Sequence, residues 1–213
     1  MEECEIIDDN PFRKIKVKFK ETTILPKIIP REEIESLLNY MYSHEHRNSN
    51  EKMYKYWLRD ISVIETLFAT GARVYEVSNI KIDCINLNTG LIKIMGKGGK
   101  ERYIQIASAE ILNILKKKYY KHNSEAIKKS GFFFVNSRGN RYTEYSIRLM
   151  LKKYAKLAGI ERNITPHMFR HSFATYLIEE GVDVSCVQQI LGHSSIKTTQ
   201  IYIHIAAKSR RRF

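Results

Sequence analysis

Apolar side chains at helical spacing are the feature that most constrains what this chain can fold into. In residues 53–68 they recur every three or four positions, as Met53, Trp57, Ile61, Ile64 and Phe68. This spacing places them on one face of a helix and predicts that the face is buried. Gly71 predicts the end of the helix, because glycine is the usual residue just beyond a helix C-terminus.

Similar spacing predicts helices along most of the chain. They cover residues 30–41, about 108–121, 144–158, and three short helices from Thr165 onward that Gly181 and Gly192 separate. Residues 43–50 are polar and predict a loop.

In three short segments, apolar residues alternate with polar ones or follow one another directly, as they do in strands. Residues 91–95 and 103–106 flank the glycine-rich stretch 96–100, which predicts an antiparallel hairpin, and residues 132–135 predict a further short strand. The expected fold class is therefore mostly α with a small antiparallel β-sheet (α+β).

The chain is strongly basic. It has 36 Lys and Arg against 23 Asp and Glu, a net charge of +13, which suits a polyanion such as nucleic acid. A ribosome-associated protein or a protein of anionic membrane surfaces would have similar charge. The longest apolar runs are too short to cross a bilayer, the acidic start is unlike a secretory signal, and the three cysteines lie far apart. We therefore expect a cytoplasmic protein with reduced thiols.

The first 24 residues differ from the rest. An acidic head precedes a basic stretch without helical spacing, so we expect residues 1–24 to be a partly disordered linker or remnant. Residues 25–213 would form the folded domain.

Four short motifs carry candidate chemistry. In the first, Thr165 is a good N-cap and Pro166 a good first helical residue. The predicted helix has an apolar face of Phe169, Phe173, Tyr176 and Leu177, and an opposite face of His167, Arg170, His171 and Ala174. A histidine and an arginine one turn apart beside a helix N-terminus can hold a phosphate. For this segment alone, an ordinary amphipathic helix with a polar side is the favoured interpretation.

The second and third motifs surround glycines. Gly192 predicts a helix end, so His193 lies at a junction, nine residues before Tyr202. A capping histidine and a core tyrosine are the simpler interpretations. Beyond Gly71, Arg73 and Glu76 share one face of the next turn, where a surface ion pair is the simpler interpretation.

The fourth motif is Lys97 in the glycine-rich hairpin turn. It lacks the spacing of a phosphate-binding loop, and a strand rather than a helix follows it. A basic hairpin tip is the alternative. The only cluster suggestive of a metal site is His44-Glu-His46, for which a solvated loop is favoured, so no metal is expected.

Taken together and in this order, the motifs resemble the tyrosine recombinase family, which includes Xer-type recombinases and phage integrases. The resemblance covers about residues 25–206. It is carried by Thr-Gly-Ala-Arg-Val-Tyr-Glu, Gly-Lys-Gly-Gly-Lys-Glu-Arg, His-Met-Phe-Arg-His-Ser-Phe-Ala-Thr, Leu-Gly-His-Ser-Ser and Thr-Thr-Gln-Ile-Tyr. It implies the fold of the family's catalytic domain.

The resemblance also implies roles for individual residues. They are a phosphate clamp of Arg73 and Arg170, a further phosphate donor His193, a general acid Lys97, a proton acceptor His167, a nucleophile Tyr202 and a structural support Glu76. We further expect Lys100, Arg102 and His171, which neighbour these positions, to contact DNA. The family's reaction proceeds through a 3′-phosphotyrosine, without metal, ATP or another cofactor.

The implied function is site-specific recombination or integration on duplex DNA, as part of a mobile element. Alternatives are relaxation of supercoils by type IB topoisomerase chemistry, DNA binding without catalysis, and ribosome binding. Members of the family usually carry a helical domain before the catalytic one, and only about two dozen residues precede Leu25. We therefore expect a fragment, or else a minimal enzyme like the fimbrial phase-switch invertases. Such a chain should be a monomer without DNA and a tetramer on DNA.

Overall fold

The computed structural model of the chain describes residues 26–44, 50–96, 101–193 and 196–210. Within these ranges, nine α-helices, one π-helical segment and three strands are formed. The helices are α1 (Arg31–Ser43), α2 (Glu51–Thr70), α3 (Val74–Ser78), α4 (Ala109–Asn113), α5 (Lys121–Ser130), α6 (Glu144–Leu157), α7 (Pro166–Glu179), α8 (Val184–Leu191) and α9 (Ile196–Arg210). The strands are β1 (Ile85–Asn86), β2 (Leu91–Met95) and β3 (Glu101–Gln105). The prediction for residues 1–24 lies outside the described ranges.

Helix α2 runs through the centre of the core. The Asn50 side chain caps its start by accepting a hydrogen bond from the Met53 amide, and Gly71 ends it with a left-handed φ of 58°. A Cβ at Gly71 would lie 2.4 Å from the Phe173 ring, so both conformation and space require glycine here. The predicted helix is confirmed, although Met53 itself is exposed because it lies in the first turn.

The three strands form one antiparallel sheet in the order β1-β2-β3. The register pairs Ile92 with Ile104 and Met95 with Glu101, which confirms the predicted hairpin. Its turn, residues 97–100, lies outside the described ranges.

Two predictions of secondary structure need correction. The predicted strand at 132–135 makes only isolated bridges at Phe132 and Val135; Phe133 and Phe134 are both fully buried, so burial is consecutive there and does not alternate. The predicted helix at 108–121 continues through a π-helical segment, Ile114–Tyr120, into α5.

The buried apolar residues form two clusters. The larger one lies around α2 and contains Phe169, while the smaller one joins α7, α8 and α9. Helix α7 lies between them, since Phe173 packs against the smaller cluster together with Ala174, a residue of the face predicted to be polar. The prediction that α7 has one apolar face and one polar face is therefore wrong, because apolar residues pack against both sides of the helix.

The predicted fold class is confirmed: helices dominate, and the sheet is small and antiparallel. No helix in the described part of the chain is both long enough and apolar enough to span a membrane.

Candidate active site

One buried carboxylate organises the basic residues that follow α2. Glu76 lies in α3 with its side chain only 2% exposed. Its Oε2 accepts the backbone N–H of Arg73 at 2.7 Å, and its Oε1 accepts from the Arg73 guanidinium at 3.1 Å. Arg73 is the N-cap of α3, so the carboxylate fixes both the backbone and the side chain of Arg73. Glu76, which we expected to be a structural support, thus contacts Arg73 through both its backbone and its side chain.

Arg102 completes this group of charges, which we call the guanidinium cluster (Arg73, Glu76, Arg102). Its two terminal nitrogens donate to the two oxygens of Glu76 at 2.7 and 2.8 Å, a bidentate pair. Burial opposes ionisation of Glu76, but the hydrogen bonds and charges of Arg102 and Arg73 outweigh it and lower the pKa of Glu76. The carboxylate is therefore ionised at neutral pH.

Arg102 is placed differently from the DNA contact that we expected. Its side chain is 12% exposed, and its Nε donates to the carbonyl of Ile190 at 2.9 Å. The alternation of residues along β3 indicated that Arg102 points into the protein. Arg102 lies on the same face of β3 as the buried Ile104, whereas Tyr103 is exposed. Arg102 therefore points into the protein and ties the hairpin to α3 and to the end of α8.

Arg170 is buried where the two clusters of apolar residues meet. Its guanidinium donates to the carbonyls of Gly71 at 2.8 Å and Leu191 at 2.6 Å. Burial and the charge of Arg73 lower the pKa of Arg170 to about 10, so it keeps its charge at neutral pH. The two carbonyls belong to the ends of α2 and α8, and these helix ends fix the direction of the guanidinium.

His193 follows the glycine that ends α8. Gly192 has a left-handed φ of 64°, which turns the chain so that His193 Nδ1 lies 2.9 Å from the hydroxyl of the buried Thr199. Burial, followed by the charges of Arg170 and Arg73, lowers the pKa of His193 to about 4. His193 is therefore neutral at pH 7. Sequence reasoning did not single out Thr199.

Tyr202 lies in α9 with 2% of its surface exposed. Its hydroxyl is 2.8 Å from Nδ1 of His171, and its ring stacks on that of His193 with centroids 6.3 Å apart. We call these residues the tyrosine pocket (His171, His193, Thr199, Tyr202). Burial raises the pKa of Tyr202, although the nearby charges of Arg170 and Arg73 lower it in part.

His171, which we expected to contact DNA, is half-buried beside Tyr202 and also lines an open cleft. Burial, followed by the charges of His167 and Arg170, lowers the pKa of His171 to about 4. The sequence held one indication of this position. The small residue Ala174 lies one turn later on the same side of α7, and it is completely buried.

The remaining predicted residues lie at the edge of the site or outside the described ranges. His167 is exposed in the first turn of α7 and lines an open cleft together with His171 and Arg162. Lys97 and Lys100 belong to the hairpin turn, outside the described residues.

The arrangement suits an anionic ligand. Three arginines (Arg73, Arg102 and Arg170) lie around Glu76 and Tyr202, so their positive charge exceeds the single negative charge of Glu76. Guanidinium groups pair well with the oxygens of a phosphate. Among the described residues, no three His, Cys, Asp or Glu side chains are grouped as metal ligands. The site therefore presents fixed cations, two neutral histidines and a protonated phenol.

Comparison with known proteins supports this description. The phage integrase family matches residues 27–209. A tyrosine recombinase of Agathobacter rectalis is 43% identical over 212 residues, which are 99% of this chain and 69% of that protein. Tyrosine recombinase XerD of Listeria monocytogenes is 37% identical over 190 residues, covering 87% of this chain and 60% of that protein.

A solved structure shows the same fold. The XerH site-specific recombinase, bound to a palindromic difH substrate in a post-cleavage complex, superposes with a TM-score of 0.75 at 30% identity. The match covers 89% of this chain and 52% of that one. The chain thus spans about half to two thirds of the length of these proteins.

Proposed function

Since the chain belongs to the phage integrase family of tyrosine recombinases, we propose that it cleaves and rejoins duplex DNA at specific sites through Tyr202. The observation that carries this proposal is the convergence of Arg73, Arg170 and His193 on Tyr202, whose pKa the two arginines influence. Membership of the family and the similarity to XerH confirm the family and the fold predicted from the motifs.

In the proposed cleavage, Tyr202 Oη attacks the scissile phosphorus and the bond to the 5′-oxygen breaks. Negative charge grows on the non-bridging oxygens, and Arg73 and Arg170 are already oriented to stabilise it. His193 is a further donor to the phosphate. The product is a 3′-phosphotyrosine, which keeps the energy of the broken bond, so rejoining needs neither ATP nor a metal.

The leaving 5′-oxygen needs a proton, because an alkoxide is a poor leaving group. We assign this proton to Lys97, in the turn between β2 and β3. Arg102 anchors β3 to Glu76. The carboxylate that holds Arg73 therefore also fixes the strand that follows this turn. Lys100, three residues further on, is a candidate DNA contact.

The proposed substrate is duplex DNA, in line with the DNA-bound state of XerH and with the charge of +13. Binding should weaken with salt, by about 0.9 in log affinity for each neutralised phosphate per tenfold rise in salt. We further propose that chains assemble as a tetramer on DNA, since exchange of two duplexes needs four cleavages.

The test uses nicked duplexes with randomised sequence around the nick, so that a cleaved strand cannot be rejoined and the covalent adduct accumulates. Wild-type protein should form an adduct that survives denaturing electrophoresis, and sequencing the trapped DNA identifies the site. Tyr202→Phe should bind the selected duplex but form no adduct, because only the attacking hydroxyl is lost. Tyr40→Phe is the matched control, since Tyr40 lies in α1 with its ring stacked on His44, outside the site. An adduct of undiminished yield with Tyr202→Phe would contradict the proposal.

A further inference from the structure

The hydroxyl of Tyr202 has a specific partner. His171 Nδ1 lies 2.8 Å from it, and the two rings have centroids 5.7 Å apart. The two residues are 31 positions apart in the sequence and come together because α7 packs directly on α9. Since the hydroxyl is the atom that would attack DNA, its partner determines where the proton can go.

The protonation states allow Tyr202 to donate this hydrogen bond to His171. Burial raises the pKa of Tyr202, so the phenol keeps its proton and can donate. Burial and the neighbouring charges lower the pKa of His171 to about 4, so at neutral pH the ring carries one proton. In the tautomer with the ring proton on Nε2, the Nδ1 lone pair accepts from Tyr202.

His167 is less well placed for the same task. It lies one turn earlier on α7 and is exposed, whereas His171 already makes the hydrogen bond. Arrival of a phosphodiester also favours His171. Its negative charge would offset the positive charge of Arg170 that holds down the pKa of His171, and basicity would rise as substrate binds.

We propose that His171 takes the proton of Tyr202 during DNA cleavage, a role that rests on the proposed function. As Tyr202 Oη bonds to phosphorus, its proton moves to His171 Nδ1 and the 5′-oxygen leaves with a proton from the general acid. In rejoining, the 5′-hydroxyl attacks the phosphotyrosine and returns its proton to the general acid that supplied it. The released Tyr202 oxygen then recovers its own from His171. Each proton returns to its starting atom over the complete cycle.

The test separates proton transfer from hydrogen bonding. In His171→Asn the side-chain oxygen can replace Nδ1 as an acceptor but cannot take up a proton. Single-turnover cleavage of the selected nicked duplex should fall by about 10²–10⁴-fold, the usual contribution of a general base. Binding to the duplex and the Tm should stay close to wild type. Cleavage by His171→Asn within about threefold of wild type would overturn the proposal.

A modified substrate separates His171 from the general acid. When sulfur replaces the bridging 5′-oxygen, the leaving thiolate needs no proton, so this substrate should rescue Lys97→Ala but not His171→Asn. His122→Asn is the matched control, since His122 Nδ1 contacts the Lys118 carbonyl outside the site, and it should cleave normally. An unrescued loss in His167→Asn together with normal cleavage by His171→Asn would assign the proton to His167 and overturn the proposal.

A measurement on the folded wild-type chain covers the case in which His171→Asn is unstable. In ¹⁵N NMR, the His171 Nδ1 signal should show an unprotonated nitrogen that accepts a hydrogen bond, and it should shift in Tyr202→Phe. An unchanged signal would overturn the proposal. The results also distinguish the two proposals: if Tyr202→Phe still forms the adduct, the proposed function fails, whereas active His171→Asn beside inactive Tyr202→Phe refutes only the role of His171.

Discussion

The two halves of the candidate active site are built on different electrostatic principles. The guanidinium cluster is ionic: Glu76 makes four hydrogen bonds to Arg73 and Arg102. The tyrosine pocket is neutral, since burial keeps His171 and His193 uncharged and the phenol protonated. If the site acts as proposed, the phosphate site is formed before DNA binds, whereas the nucleophile stays inactive until a phosphate changes its surroundings.

The largest effect should come from removing the carboxylate of the ionic half. Glu76→Ala leaves Arg102 buried with no carboxylate partner, and losing one member of a buried ion pair typically costs about 3–5 kcal/mol of unfolding free energy. Denaturant unfolding measures this loss of unfolding free energy. Glu144→Ala is the matched control, because Glu144 pairs with Arg148 at the surface, where such a pair is worth about 0–1 kcal/mol. Equal losses in the two variants would show that the guanidinium cluster is no more than a surface ion pair.

A smaller but still large effect should come from Arg170, which links the two halves. Arg170→Lys keeps the charge, but an ammonium cannot donate to Gly71, Leu191 and a phosphate in the fixed directions of the guanidinium. Cleavage of the selected nicked duplex should fall by about 10²–10³-fold, as when one donor to a developing oxyanion is removed. Arg31→Lys, at an exposed ion pair on α1, should cleave like wild type. Near-normal cleavage by Arg170→Lys would mean that charge alone, without orientation, suffices.

The smallest effect concerns the neutral half and pH. The folded-state pKa of His171 and of His193 lies at about 4, below the ordinary 6.5. The unfolded chain therefore binds more protons between these values, and stability is lost as the pH falls from about 6.5 toward 4. Asp60 and Glu65, whose pKa values burial raises, act in the opposite direction in this window.

A variant that replaces both His171 and His193 by asparagine isolates this contribution. Between about pH 7 and pH 5 the wild-type Tm should fall further than that of the variant, by about 2–4 °C for each 1 kcal/mol of stability that the two histidines lose in a domain of this size. Thermal unfolding at the two pH values measures the difference, with His122→Asn as the control. Parallel Tm curves for wild type and the double variant would contradict the view that the pocket holds its histidines neutral.

The sequence by itself determined the features that depend on neighbours within a turn or a strand. Apolar spacing located α2, Gly71 and Gly192 located helix ends, and alternation located β2 and β3. The ordered motifs identified the family, and the position of Tyr202 nine residues after His193 was part of that pattern. Such features were readable because the physical cause lies close by in the chain.

Only the tertiary structure decided which side chains are partners. Arg102 meets Glu76 across 26 positions and Ile190 across 88, and His171 meets Tyr202 across 31. The sequence showed an arginine and a histidine beside recognised motifs, and both were expected to face DNA. Arg102 turns inward because β3 directs alternate residues into the protein, and His171 contacts Tyr202 because α9 packs on α7. Burial of a polar side chain depends on how the helices and the sheet pack together, which local patterns do not specify.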